Sequence, residues 1–154
     1  MNVKTHSRIS AVVLGAAVAV FAATANAVDD PDPPRVSDLA SVRTKIKAQD
    51  FKGALAELGP ILKSNPSADA HNLTGYGLRK TGDFPQALAH YRKALELDPK
   101  HKGALEYLGE LYVETGEMDK ARETAARLKT LCPRGCEELA DLEKAIAGAK
   151  PAPK

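Results

Sequence analysis

The sequence predicts an all-α fold: an α-solenoid of three helix-turn-helix units closed by a C-terminal capping helix. Three observations carry this. Val and Ile, the usual strand formers, become rare after residue 30, and Ala and Leu supply most of the apolar side chains. Aromatic residues make up only 5% of the chain and Trp is absent, which suits thin, closely packed helices better than a thick core. Above all, three landmarks recur in step. Phe51, Phe84 and Met118 are spaced by 33 and 34 residues, as are Ala54, Ala87 and Ala121, and again Pro66, Pro99 and Pro133.

The elements can be taken in order. Lys4 and Arg8 precede an apolar run of small residues from Ala11 to Ala23, and Ala25-Asn26-Ala27 supplies a small-x-small cleavage site. This three-part pattern predicts a signal peptide over residues 1–27. The run is too short and too rich in Ala for a stable membrane span, which needs about 20 strongly apolar residues. No Cys follows it that could carry a lipid, and twin arginines are absent. The expectation is an exported, most plainly periplasmic, protein without stable membrane insertion. Lys4 and Arg8 leave with the leader, so the 22 basic residues fall to 20 and balance the 20 acidic ones. A neutral chain is a poor nucleic-acid binder, since that binding rests on phosphate neutralisation. Residues 28–34 (VDDPDPP) hold three prolines and three aspartates and read as a disordered lead-in. The end of the chain, 149–154, reads as a disordered tail.

The repeated region spans 35–148, with units at 35–67, 68–101 and 102–133 and a cap at 135–148. The second unit is the most regular, with Gly75, Gly82, Phe84, Ala87, Tyr91, Ala94 and Pro99 at repeat positions 8, 15, 17, 20, 24, 27 and 32. The third matches it at Leu108-Gly109, Tyr112, Gly116, Met118, Ala121 and Pro133, but has Ala125 at position 24 and Leu128 at 27, a volume swap. The first is degenerate. It keeps Phe51, Ala54, Leu58 and Pro66, yet has Val42 where Gly is usual and Gln49 in the turn. This pattern resembles the tetratricopeptide-repeat (TPR) family, whose period is 34 residues and whose terminal repeats are often atypical.

The local chemistry agrees with the resemblance. Gly75 and Gly109 leave gaps where the second helix of a unit crosses the first, and Ala54, Ala87 and Ala121 do so from the other side. Thr81-Gly82-Asp83 and Thr115-Gly116-Glu117 supply turns: Gly ends the first helix in a left-handed conformation and the acid favours the start of the second. Asn65-Pro66 and Asp98-Pro99 break the second helices. After Pro133 the pattern does not restart. Leu139, Leu142, Ala145 and Ile146 share one face of a last helix, as a capping helix requires.

Candidate chemistry is sparse. Cys132 and Cys136 flank the corner between the last repeat and the cap, and an even Cys count in an exported chain reads first as a structural disulfide. A thiol/disulfide redox pair is the rival, although redox motifs usually have two intervening residues and this one has three. His71, His90 and His101 fall at different repeat positions with no recurring ligand partner, so no metal site is expected. Ser37, Ser41, Ser64 and Ser67 cluster in or beside the first unit, near no nucleophile motif, and the isolated glycines form no phosphate loop. The expectation is a binding protein rather than an enzyme, with no cofactor.

The resemblance also implies a site. In TPR proteins the first helix of each unit lines a concave groove at positions 2, 5, 9, 12 and 13. That places Arg43, Ile46 and Lys47 of the first unit there, then Asn72, Tyr76, Arg79 and Lys80, then Glu106, Glu110, Val113 and Glu114. The groove would run from basic to acidic and hold an extended peptide or partner protein, Tyr76 and Arg79 acting as anchors. Asn72, Tyr76, Arg79 and Lys80 are not expected to be needed in the core. A Lys/Asn clamp for a terminal carboxylate, known in some TPR domains, is not expected, because the third unit offers Glu106 and Glu110 instead. Self-association into a scaffold is the other alternative.

Overall fold

A computed structural model describes residues 38–149. The predicted leader, lead-in and all of the tail beyond Ala149 lie outside the described residues. Seven helices follow in order: α1 Asp38–Lys47, α2 Phe51–Ser64, α3 Ala68–Lys80, α4 Phe84–Leu97, α5 Lys102–Glu114, α6 Met118–Leu131 and α7 Glu137–Gly148. No strand occurs among the described residues. Consecutive helices pack as antiparallel pairs. In addition α1 touches α3, α3 touches α5, and α5 touches α7, so the odd-numbered helices form one layer and the even-numbered ones a second.

The helix ends follow from side-chain chemistry. The Gly53 N–H donates to Asp50 Oδ1 (2.9 Å), the Ala70 N–H to Ser67 Oγ (3.1 Å) and the Gln86 N–H to Asp83 Oδ1 (3.2 Å), each satisfying an orphan donor of a first turn. The turns after α3 and α5 end on Gly82 (φ +87°) and Gly116 (φ +79°). Gln49 stands in the matching place after α1 with φ +59°, so the degenerate unit keeps the left-handed turn and bears its steric cost without Gly. Pro60, which the sequence pattern left unremarked, sits inside α2 on its exposed side.

Ala54, Ala87 and Ala121 are fully buried at the predicted crossings. A Cβ at Gly75 would lie 2.7 Å from the ring of Tyr91, itself fully buried, so Gly75 is the socket for the large position-24 side chain of its own unit. Gly109 differs from this. The atoms nearest a Cβ there belong to Leu142 of α7 rather than to α6. With Ala125 at position 24, the third unit has no side chain of its own to fill the gap, and the cap supplies one. Leu105, Ala125, Leu128, Leu139 and Leu142 form a single buried cluster. The volume swap is thus completed by α7, and the cap is part of the third unit's core.

Candidate partner-binding groove

The expected groove residues lie on the layer of odd-numbered helices. Arg43 and Lys47 are exposed on α1, and the Arg43 guanidinium reaches Asp69 at the start of α3 (3.3 Å). Tyr76 is half-buried. Its ring meets Phe51 edge-on at 6.1 Å and Tyr107 at 4.8 Å, while Lys80 Nζ lies 5.3 Å from its centroid. Tyr107 was not anticipated at this site. Its sequence signal was available, since it sits one residue after Glu106, on the stripe that faces the neighbouring unit.

Arg79 departs from expectation. It is 3% exposed, not a free fork in the groove. Nη1 lies 2.6 Å from Glu114 Oε1 and Nη2 2.5 Å from Glu110 Oε2, which ties α3 to α5. The guanidinium carbon lies 5.4 Å from the Tyr76 ring centroid and 5.7 Å from that of Tyr107. Burial alone would depress this guanidinium, but Tyr91, Glu110 and Glu114 outweigh it and hold the group above its ordinary value. Tyr91 is pushed up, mainly by burial, and its buried hydroxyl has no aligned hydrogen-bond partner. Asn72, at 5% exposure, is also buried. Two of the four expected contact residues on α3 are therefore part of the interior. They sit at groove positions by sequence, but the third unit's acids draw Arg79 down between the helices.

That ion pair changes the charge layout. Arg79 is spent within the protein, together with Glu110 and Glu114. Exposed cations remain at one end, on Lys47 and Lys80. At the other end, a cleft between α3, α5 and α7 holds Asn72, Glu106 and Asp141. Glu106 is only 9% exposed, and its carboxyl is pushed up to about 8 by burial and by the neighbouring acids Glu110, Asp141 and Glu138. Tyr107 is pushed up to about 12 by burial and by Glu106.

Outside the groove, His71 and His90 come together across α3 and α4, their Nδ1 atoms 3.1 Å apart, and both are held below the ordinary imidazole value chiefly by burial. Sequence spacing gave no sign of this pair, which is 19 residues apart. No group of three or more His, Cys, Asp or Glu suited to a metal ion occurs among the described residues. His101 Nδ1 caps α5 by accepting from the Ala104 N–H (3.1 Å), and Nε2 lies 3.0 Å from Asp69 Oδ1. Cys132 and Cys136 have Cα atoms 5.9 Å apart with their sulfurs in contact, within the reach of a disulfide.

Residues 78–147 match a family profile described as "Tetratricopeptide repeat". The seven paired helices and the 34-residue period agree with it. Residues 78–147 are tetratricopeptide-repeat sequence, and the described helices take the fold of TPR domains. Sixty-five residues are 45% identical to a Pseudomonas putida protein named probable biofilm formation methyltransferase WspC, covering 40% of this chain and 15% of that one. Ninety-seven residues are 30% identical to the Saccharomyces cerevisiae heat shock protein STI1, covering 62% of this chain and 16% of STI1. This TPR chain thus spans about one sixth of the length of those relatives. Among solved structures, the TPR2B domain of yeast Sti1 in complex with pHsp70 superposes with a TM-score of 0.65 at 20% identity, covering 74% of this chain and 96% of that one. The first TPR of Spaghetti (RPAP3), bound to the HSP90 peptide SRMEEVD, superposes with a TM-score of 0.62 at 15% identity, covering 71% and 90%.

Proposed function

We propose that this TPR protein is a non-catalytic adaptor of the cell envelope that holds an extended peptide or a segment of a partner protein on the layer formed by α1, α3, α5 and α7. The observation that carries this reading is the layer itself. It presents a half-buried aromatic pair, Tyr76 and Tyr107, between exposed cations at one end and an acidic cleft at the other. Such a surface offers stacking, hydrogen bonding and direction-dependent charge to a polar backbone. Two TPR neighbours of the same fold were solved with peptide ligands, which supports the same use of the layer here.

The leader pattern of residues 1–27 supports this cellular setting, with cleavage proposed after Ala27. In an oxidising compartment Cys132 and Cys136 would form a structural disulfide that fixes α7 to α6. Intact mass of the protein from an envelope fraction tests both points: a chain starting at Val28 and lighter by two hydrogen atoms is expected, and one starting at Met1 would refute the export reading. Binding is tested by affinity capture from an envelope extract with the mature chain and with Tyr76→Ala. Loss of the captured partner by the variant, at unchanged helicity, is expected. Equal capture by both would move the binding surface off this layer.

A further inference from the structure

The cleft at the C-terminal end of the layer has an unbalanced charge. Five carboxylates line it, those of Asp69, Glu106, Glu137, Glu138 and Asp141, against the single guanidinium of Arg43. Local partners account for part of this. Asp69 is held by Arg43 and His101, and Glu138 by Lys102 Nζ at 3.5 Å. Glu137 and Glu138 also occupy the first turn of α7, where the helix dipole favours acids. Glu106 and Asp141 have neither compensation: among the described residues, no ion pair or side-chain hydrogen bond reaches either. Glu106 is nevertheless nine-tenths buried.

A second feature is independent of charge. Asn72 lines the same cleft, is 95% buried, and its Oδ1 accepts no hydrogen bond. A buried acceptor left open is costly, so such a group is normally satisfied by something. The amide oxygen is an acceptor left open, and the Glu106 carboxyl becomes acceptor-only once it ionises. A cationic donor would serve both.

We propose that this cleft binds a basic side chain, the guanidinium or ammonium of an Arg or Lys in the partner peptide, with Asn72 Oδ1 and the Glu106 carboxylate accepting from it and Asp141 adding charge. The proposal rests on the adaptor reading above and specifies the chemistry of its ligand. It assigns this protein a ligand opposite in charge to the acid-rich SRMEEVD peptide of the RPAP3 complex. The cause lies in the third unit, which presents Glu106, Glu110 and Glu114, and in Arg79, whose guanidinium is already paired with two of them.

The groups facing Glu106 are Arg79 from α3, Glu110 from its own helix, and Glu138 and Asp141 from α7, with Arg43 and His101 on the cleft wall. Burial first, and then the neighbouring acids, keep a proton on Glu106 near neutrality. An arriving cation favours the charged form and offsets them. Binding then transfers the proton from the Glu106 carboxyl to solvent buffer and leaves a carboxylate–cation pair.

The test uses the mature, oxidised chain and three ten-residue Gly/Ser peptides, carrying two Arg, two Glu or no charge. Amide-shift mapping locates binding, and calorimetry at pH 7 in buffers of different ionisation enthalpy counts protons. The Arg peptide should shift amides around Asn72, Glu106 and Asp141, release up to one proton, and bind at least roughly tenfold more tightly at pH 8.5 than at pH 6. Glu106→Gln should abolish proton release, and Glu106→Gln with Asp141→Asn should weaken binding at least tenfold with the circular dichroism spectrum unchanged. If the Glu peptide binds the layer and the Arg peptide does not, the cation site is wrong and the adaptor reading stands. Arg-peptide shifts away from this cleft, or affinity indifferent to both substitutions, likewise refute the cation site. If no peptide shifts any amide of α1, α3, α5 or α7, both readings fall.

Discussion

Glu106→Gln should stabilise the folded protein in a pH-dependent way, and the size of the effect follows from where Glu106 sits. An ordinary carboxyl titrates near 4.5, whereas burial and the surrounding acids push Glu106 up to about 8. Its folded pKa is raised, so the native state binds a proton that the unfolded state releases. Stability then falls as pH rises from about 4.5 through about 8 and levels off above that. Each unit is worth about 1.4 kcal/mol, which would give about 5 kcal/mol for the full interval. The cleft is open to water on one side, and screening reduces the cost to about 2 kcal/mol. Gln keeps the shape and carries no charge, so it removes this cost only where Glu is ionised. At pH 5 the two proteins should melt within about 2 °C of each other. At pH 9 the variant should melt about 8 °C higher, taking about 4 °C per kcal/mol for a domain of this size. Every other titrating group is common to both proteins, so the difference of differences isolates Glu106. Thermal melts followed by far-ultraviolet circular dichroism at the two pH values give the answer. An equal gap at pH 5 and pH 9, or a variant less stable at pH 9, would show instead that Glu106 is already compensated in the fold.

Three further outcomes test the packing. Arg79→Glu should cost at least about 3 kcal/mol in urea unfolding, because it removes a buried cation from Glu110 and Glu114 and puts a third acid in its place; a melting point unchanged by it would mean that the guanidinium is free in the groove. Gly75→Ala should cost about 1–3 kcal/mol, since its Cβ would lie 2.7 Å from a fully buried Tyr91 ring, whereas the same substitution at exposed Gly59 inside α2, where the added Cβ meets no neighbouring element, should raise stability by about 0.5–1 kcal/mol. Gln49→Gly should raise stability by a few tenths of a kcal/mol, the relief of a left-handed residue offset by Gly entropy, measurable as a higher urea midpoint at unchanged slope.

The fold was legible because the features that define it are local and repeated. Gly82 and Gly116 end helices by their own φ angles, and Ala54, Ala87 and Ala121 are buried for lack of volume, so each can be recognised without knowing its neighbours. The site was legible only in part. Tyr76 and Lys80 lie where the repeat register puts them. Asn72 and Arg79 were placed on the right face but at the wrong depth, since depth depends on what the next unit brings. A register position says which way a residue points. It does not say whether Glu110 and Glu114, 31 and 35 residues later, will pull it inward. Gly109 shows the same limit. Its role as a gap was readable, but that Leu142 of the cap fills it depends on Ala125 being too small to do so, a compensation between three separate helices.

The cap therefore joins stability to binding. In a solenoid each unit is stabilised only by its neighbours, so the last one needs cover. Here α7 does this with Leu139 and Leu142 on one side, while Glu138 and Asp141 on the other complete the acidic cleft around Glu106. A helix cannot shift on its core face without moving its groove face by the same amount. Any loosening of Leu142 over Gly109 must widen the cleft, and any cation bridging Glu106 to Asp141 must draw α7 onto α5. A Cys132–Cys136 bond acts at the only chain connection between α6 and α7, and by loop entropy over five residues would contribute about 2 kcal/mol. Its larger consequence is geometric: it limits how far α7 can travel from the third unit, and so holds Asp141 within reach of the group that Glu106 binds. Ligand and staple then act on the same helix in the same direction, and the ligand should raise the melting temperature more in the oxidised protein, where α7 is already in place, than in the reduced one, where part of the binding energy is spent in seating it.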